Sequence, residues 1–213
     1  LTAVSVPPVD LDAELLVAMS RARDPRVEPD FAAQGFTRAL HWGVARVEFY
    51  GLNRELYEPH DDGKSMSFII PVVEGGDLVD LAAIDGNTQH LATRQGFGRA
   101  LGADAIEKAR WGQCALVLMR RPLEWLRRQS LAVRESRRFI TACHRVQHGN
   151  APPGSATDID TSLPRDYAYL FNLGTARTTL ADVREIFCED VTFAERVMAV
   201  LPPSQADRVL VID

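Results

Sequence analysis

The segment from Met66 to Asp85 constrains the fold more than any other stretch of this chain. Two apolar runs, Met66-Ser-Phe-Ile-Ile-Pro-Val-Val and Leu78-Val-Asp-Leu-Ala-Ala-Ile, are joined by Glu74-Gly75-Gly76-Asp77. Glycine reaches positive φ without a Cβ penalty, so the two runs can fold back on each other as a hairpin. A hairpin of this length dictates a sheet. Strand alternation predicts that Asp77 and Asp85 share one face and that Asp80 takes the other. Glu74 and Asp77 most simply serve the turn.

Strand and helix signals mix along the rest of the chain. Asp10 is placed to cap a helix with Leu11, Leu15, Leu16 and Met19 on one side, ending before Asp24-Pro25. A short helix over Phe31 to Leu40 would make 1–40 a helical N-terminal segment. Val44 to Tyr50 is β-rich and reads as a strand, and 51–65 as a loop. A helix is expected over 103–110. Cys114 to Met119 is a continuous apolar run, the pattern of a strand buried on both faces. Pro122 suits the first turn of a helix. Leu123, Leu126, Leu131, Phe139, Ile140, Cys143 and Val146 would line its buried side, with a break near Ser130. Residues 149–164 are rich in Gly, Pro, Ser and Asp and read as a flexible loop. Helices are expected over 180–187 and 191–201, with Thr179 and Thr192 as cap candidates, and a last strand over 208–212. The expected fold is α/β (or α+β): a single domain over 1–213, with a central mixed sheet that contains the 66–85 hairpin and is flanked by helices.

Composition narrows the class. At 46% hydrophobic and 25% charged, 213 residues suit a globular protein with a sizeable core. No apolar run approaches the roughly 18–20 residues of a membrane span. The first residues lack a basic region followed by an apolar core, so no secretory leader is expected. A start on Leu1 is what a trimmed or excised segment would show. Three scattered cysteines, Cys114, Cys143 and Cys188, fit reduced thiols and a cytoplasmic location. Arginine outnumbers lysine 22 to 2, a bias expected of a GC-rich bacterial genome. Charge is segregated: 108–148 holds 10 basic and 2 acidic side chains, while the flanking segments are acidic.

That basic segment carries the first functional candidate. Arg127, Arg134, Arg138 and Arg145 recur at spacings of seven, four and seven, which would align them along one helix. A basic stripe is the footprint of phosphate-backbone binding, and it also suits a solvated face paired with acidic neighbours. His144 and His148 are four apart and, on a helix, could hold one metal. Zinc needs further ligands at a recognisable spacing, and His41, His60 and His90 do not supply it. The pair equally suits a helix C-terminus. Gly96-Phe-Gly98-Arg-Ala-Leu-Gly102 resembles a phosphate loop, but its last gap is one residue longer than the dinucleotide fingerprint. Asp213 closes the final strand, where polar groups often face a ligand crevice. No Gly-x-Ser-x-Gly elbow is present.

With these residues in view, Phe68-Ile-Ile-Pro-Val-Val-Glu-Gly-Gly-Asp-Leu-Val-Asp-Leu-Ala-Ala resembles the hairpin of bacterial and phage DNA primases. The order that follows is also similar to primases with a Toprim domain: a Gly-containing connection, a helix, an apolar strand at 114–119, then Arg120-Arg-Pro-Leu-Glu-Trp-Leu126. Uncharacterised prophage-associated proteins of alphaproteobacteria share such an arrangement, with a closing strand like Leu210-Val-Ile-Asp213. The resemblance covers about 66–128 and 208–213. Toprim chemistry uses a Glu and an Asp-x-Asp pair around magnesium, a hard ion suited to carboxylates. Here Arg120 and Arg121 stand in place of the Glu-Gly pair, Glu124 is displaced by about one helical turn, and Asp158-Ile-Asp160 falls in a loop. The resemblance thus implies a retained scaffold whose metal site is lost.

Three functional expectations result. The first is a non-catalytic primase or Toprim-like protein of a prophage or mobile element, needing no cofactor. It would bind nucleic acid or a replication partner through Arg120, Arg121, Arg127, Arg134 and Arg138. The second is a metal- or nucleotide-dependent enzyme, with magnesium as the metal, near Glu124, Asp213 and the 96–102 loop. The third is a protein-interaction or oligomer-forming protein.

Overall fold

The computed structural model describes residues 8–23, 42–52, 54–96, 100–101, 115–119, 121–134, 139–144, 185–201 and 203–212. The hairpin is there as expected. Strand β3 (Ser65–Glu74) runs antiparallel to β4 (Asp77–Asp85), in register from Ser67↔Asp85 to Glu74↔Asp77. Gly75 and Gly76 turn the chain at φ +62° and +95°, the two consecutive positive values that a twisted two-residue hairpin loop needs.

The hairpin does not lie in an open sheet flanked by helices. It belongs to a closed five-stranded barrel with β1 (Gly43–Tyr50), β2 (Leu56–Pro59) and β5 (Leu91–Thr93), in the order β1-β2-β5-β4-β3. The expectation of one central helix-flanked sheet is therefore corrected, while the mixture of helices and strands holds. The missing information was in β2 and β5. β2 falls in 51–65, which reads as a loop, β5 in a stretch with no strand signal, and strands of three or four residues are too short to show a period.

Strands β3, β4 and β5 are buried on both faces, whereas β1 and β2 expose Arg46, Glu48 and Glu58. Ala45, Val47, Tyr57, Ile69, Leu81, Ala83 and Ala92 form one core with Ala18. The alternate residues Val44, Phe68, Ile70, Ala82, Ile84 and Leu91 form a second core, joined by residues of the other sheet. This two-sided burial explains why β3 and β4 read as nearly continuous apolar runs. A bulge between Val72 and Val73 breaks the alternation. Leu78 and Leu81, three apart, consequently pack toward the same core, so the expected shared face of Asp77 and Asp85 is lost.

Helix α1 (Leu11–Ala22) packs on β1, β3 and β4. Asp10 caps it, accepting from the Ala13 N–H at 3.0 Å. The close approach of α1 to β1 depends on Gly43, where a Cβ would lie 2.4 Å from the Ala18 carbonyl carbon.

The second sheet has the order β10-β9-β7-β8-β6. Its strands are β6 (Ala100–Leu101), β7 (Ala115–Met119), β8 (Phe139–His144), β9 (Ile186–Cys188) and β10 (Val209–Val211). The β10–β9, β9–β7 and β7–β8 pairs are parallel, and β6 is antiparallel to β8. Helix α2 (Pro122–Arg134) connects β7 to β8; α3 (Val191–Val200) and the short α4 (Pro203–Ala206) connect β9 to β10. Val117 and Met119 of β7, with Leu123, Trp125 and Leu126 of α2, complete the core shared with the barrel. Trp42 and Phe68 meet edge to face within it, their centroids 5.9 Å apart.

Two expected helices are corrected. The helix from Pro122 ends at Arg134, and 139–144 is a strand in register with β7 from Ala115↔Phe139 to Met119↔Cys143. Phe139, Ile140 and Cys143 mimic helical spacing, but six residues cannot separate that from a buried strand. Likewise Ile186–Cys188 is a strand where a helix over 180–187 was expected. The proposed helices at 31–40 and 103–110 and the loop at 149–164 lie outside the described residues.

Candidate functional site

In an open parallel sheet, ligands bind outside the carboxyl ends of the strands where the connections diverge. Here that place lies between β7 and β9. From β7 the chain moves through α2 to β8 on one side, and from β9 through α3 and α4 to β10 on the other. The residues delivered there are Arg121 after β7, and Glu189 and Asp190 after β9.

Arg121 and Glu189 are clasped together. The Arg121 backbone N–H donates to Glu189 Oε2 at 3.2 Å, and its Nε lies 3.5 Å from Oε1. The Glu189 side chain is 2% exposed and that of Arg121 is 53% exposed. A buried carboxylate needs charge compensation, and the guanidinium supplies it while keeping its outer part in water. Asp190 serves the helix instead, since its Oδ1 accepts the Phe193 N–H at 2.8 Å and caps α3. Thr192, an expected cap candidate, lies inside the helix. Burial, with the adjacent Asp190 and Glu189 charges, pushes the Cys188 thiol up to about 12. This thiol is therefore no nucleophile at neutral pH.

Glu124 lies in the first turn of α2 and pairs with Arg127, three residues on. It does not project into a carboxylate cluster: among the described residues no group of three His, Cys, Asp or Glu side chains could hold a metal ion. Arg134 is the last residue of α2. The stripe expected to continue from Arg127 through Arg138 to Arg145 is interrupted, because β8 follows α2. Arg120, Arg138, Arg145, His148 and Asp213 lie outside the described residues. His144 ends β8, opposite Ala100, so the helical geometry that would have paired it with His148 does not apply. The 96–102 segment enters strand β6 at Ala100, where a phosphate loop would open a helix.

Glu189 was the residue missed. Three apolar residues followed by Glu-Asp show no period, and only the Asp190 cap signal before Val191 marks where the strand stops. No helix among the described residues is long and apolar enough to cross a membrane. No family model, curated protein or solved structure matches this chain.

Proposed function

We propose that this is a non-catalytic protein of primase or Toprim type, carried by a prophage or similar element. It binds nucleic acid or a replication partner at the carboxyl end of β7, which delivers Arg121, beside that of β9. The observation that carries this reading is the Arg121–Glu189 clasp. A divalent ion at this crevice would need free carboxylate oxygens. The buried carboxylate here faces a guanidinium, and a phosphate is the anion that such a cation recruits. Arg127, and by sequence Arg120, Arg134 and Arg138, extend the basic character of this segment.

The test is fluorescence anisotropy with a labelled single-stranded oligonucleotide across a salt series. Binding should weaken linearly on a log–log plot, because each phosphate contact releases counterions. Arg121→Glu should weaken it by roughly tenfold, about one strong contact. Absence of binding at low salt ends the proposal. Stabilisation of the wild type by magnesium would favour the metal-dependent enzyme instead.

A further inference from the structure

Helix α1, the strands β1 to β4 and the turn after β2 line a cavity of about 610 Å³ that is open to solvent. That volume is in the range of small-molecule sites, about 300–1,000 Å³. Its lining is apolar at the exposed Val17 of α1 and at the buried Ala45, Ile69 and Leu81 of the barrel.

The charges around it are unbalanced. Arg21 is its one lining cation among the described residues, and it bonds Asp61 at 3.2 Å. Glu14 is held by Arg94, whose Nε reaches both carboxylate oxygens at 3.2 and 3.0 Å. Asp62 lines the cavity and makes no ion pair among the described residues. His60 lies beside it on the same turn.

Tyr57 supplies a second, independent sign. It lines the cavity, it is fully buried, and its hydroxyl has no hydrogen-bond partner among the described residues. Buried hydroxyls are nearly always paired, so an orphan beneath the cavity floor marks an incomplete set of polar contacts there. Burial, reinforced by the Glu14 and Asp80 charges, raises its pKa far above the usual phenol value, so it stays protonated and able to donate.

We infer that this cavity is a binding site for a small protonated amine carried on an aromatic or apolar body. The ammonium meets the exposed Asp62, and the body packs against Ala13, Val17 and Pro59 above a floor of Ile69, Leu81 and Tyr57. A carboxylate ligand is disfavoured by the same acidic rim.

Titration calorimetry of the intact protein with tyramine, phenethylamine and tryptamine tests this, alongside the matched arylpropionates. The amines should saturate and the propionates should not. Asp62→Asn should weaken amine binding by roughly tenfold, the loss of one charge-assisted contact. Ala13 is exposed on α1 and lines the cavity, so Ala13→Trp should fill the site and abolish binding without lowering the unfolding midpoint. Failure of all three amines to saturate up to roughly 10 mM, near the limit of measurable affinity, overturns the inference. Equal binding of amines and propionates does the same. The wild-type comparison decides the matter even if a variant does not fold.

Discussion

Arg121 and Glu189 are 68 residues apart in sequence, yet the backbone N–H of one donates to the carboxylate of the other at 3.2 Å. The contact joins the ends of two adjacent parallel strands at the point where their connections part. It places an exposed guanidinium over a covered carboxylate at that end of the sheet.

Gly43→Ala should be among the most damaging single-methyl changes in the molecule. The new Cβ would lie 2.4 Å from the Ala18 carbonyl carbon, 2.6 Å from its Cβ and 2.6 Å from the Met19 nitrogen. These are backbone atoms and a short side chain, which cannot swing away. Overpacking of this kind costs about 1–3 kcal/mol. Urea unfolding should show a lowered midpoint of that size, with the slope unchanged.

Asp85 should set part of the acid sensitivity. It is buried, and burial alone would raise its pKa, but hydrogen bonds from Ser65, Thr88 and Asn87 outweigh that and hold it below 3.8. The group binds its proton less readily folded than unfolded. Its stabilising contribution is thus fully present above pH 3.8 and is lost as pH falls toward the lower folded value. Asp85→Asn should cost about 1–3 kcal/mol near neutrality, since buried hydrogen bonds lose a charged acceptor. The gap to wild type should narrow in unfolding curves taken below pH 3.8.

Glu14 and Arg94 should be measurably coupled. Their side chains are only 24% and 17% exposed, so water screens them less than it screens a surface pair. A double-mutant cycle with Glu14→Gln and Arg94→Met should return a coupling of about 0.5–1.5 kcal/mol. Half a molar of sodium chloride should reduce it only slightly. A coupling near zero would mean that apolar contacts alone hold α1 to the barrel.

Cys188 should resist alkylation in the native protein. It is fully buried, with a thiol pushed up to about 12. Iodoacetamide followed by peptide mass mapping should label it at least roughly 10³ times more slowly than in the urea-unfolded chain, because the thiolate is the reactive form. Labelling at the rate of an exposed thiol would show that β9 opens readily.

How much of this was legible depended on element length. The hairpin was readable because β3 and β4 have ten and nine residues and the turn is Gly75-Gly76. β7 and the N-terminus of α2 were readable from an unbroken apolar run and Pro122. The barrel was not, because closing it depends on β2 and β5, of four and three residues. Nothing local tells Leu56 that it will pair with Thr93. The helical stripe failed for a related reason: Arg127 and Arg134 share α2, but the next segment is committed to β8 by pairing with β7, a partner 24 residues earlier in the register Ala115↔Phe139. The cavity was invisible for the same cause, since Asp62 and Tyr57 face α1 only after the strands have curled.

The ring of strands has one poorly fastened joint. β2 and β5 meet side by side at the lone register pair Leu56↔Thr93, reinforced by the Thr93 N–H to the Glu55 carbonyl at 2.9 Å. β3 and β4, by contrast, are stitched along eight positions. Fluctuations that open the cylinder therefore begin at that joint. Amides of 56–58 and 91–93 exchange with solvent first, while the long hairpin stays zipped until the whole molecule lets go.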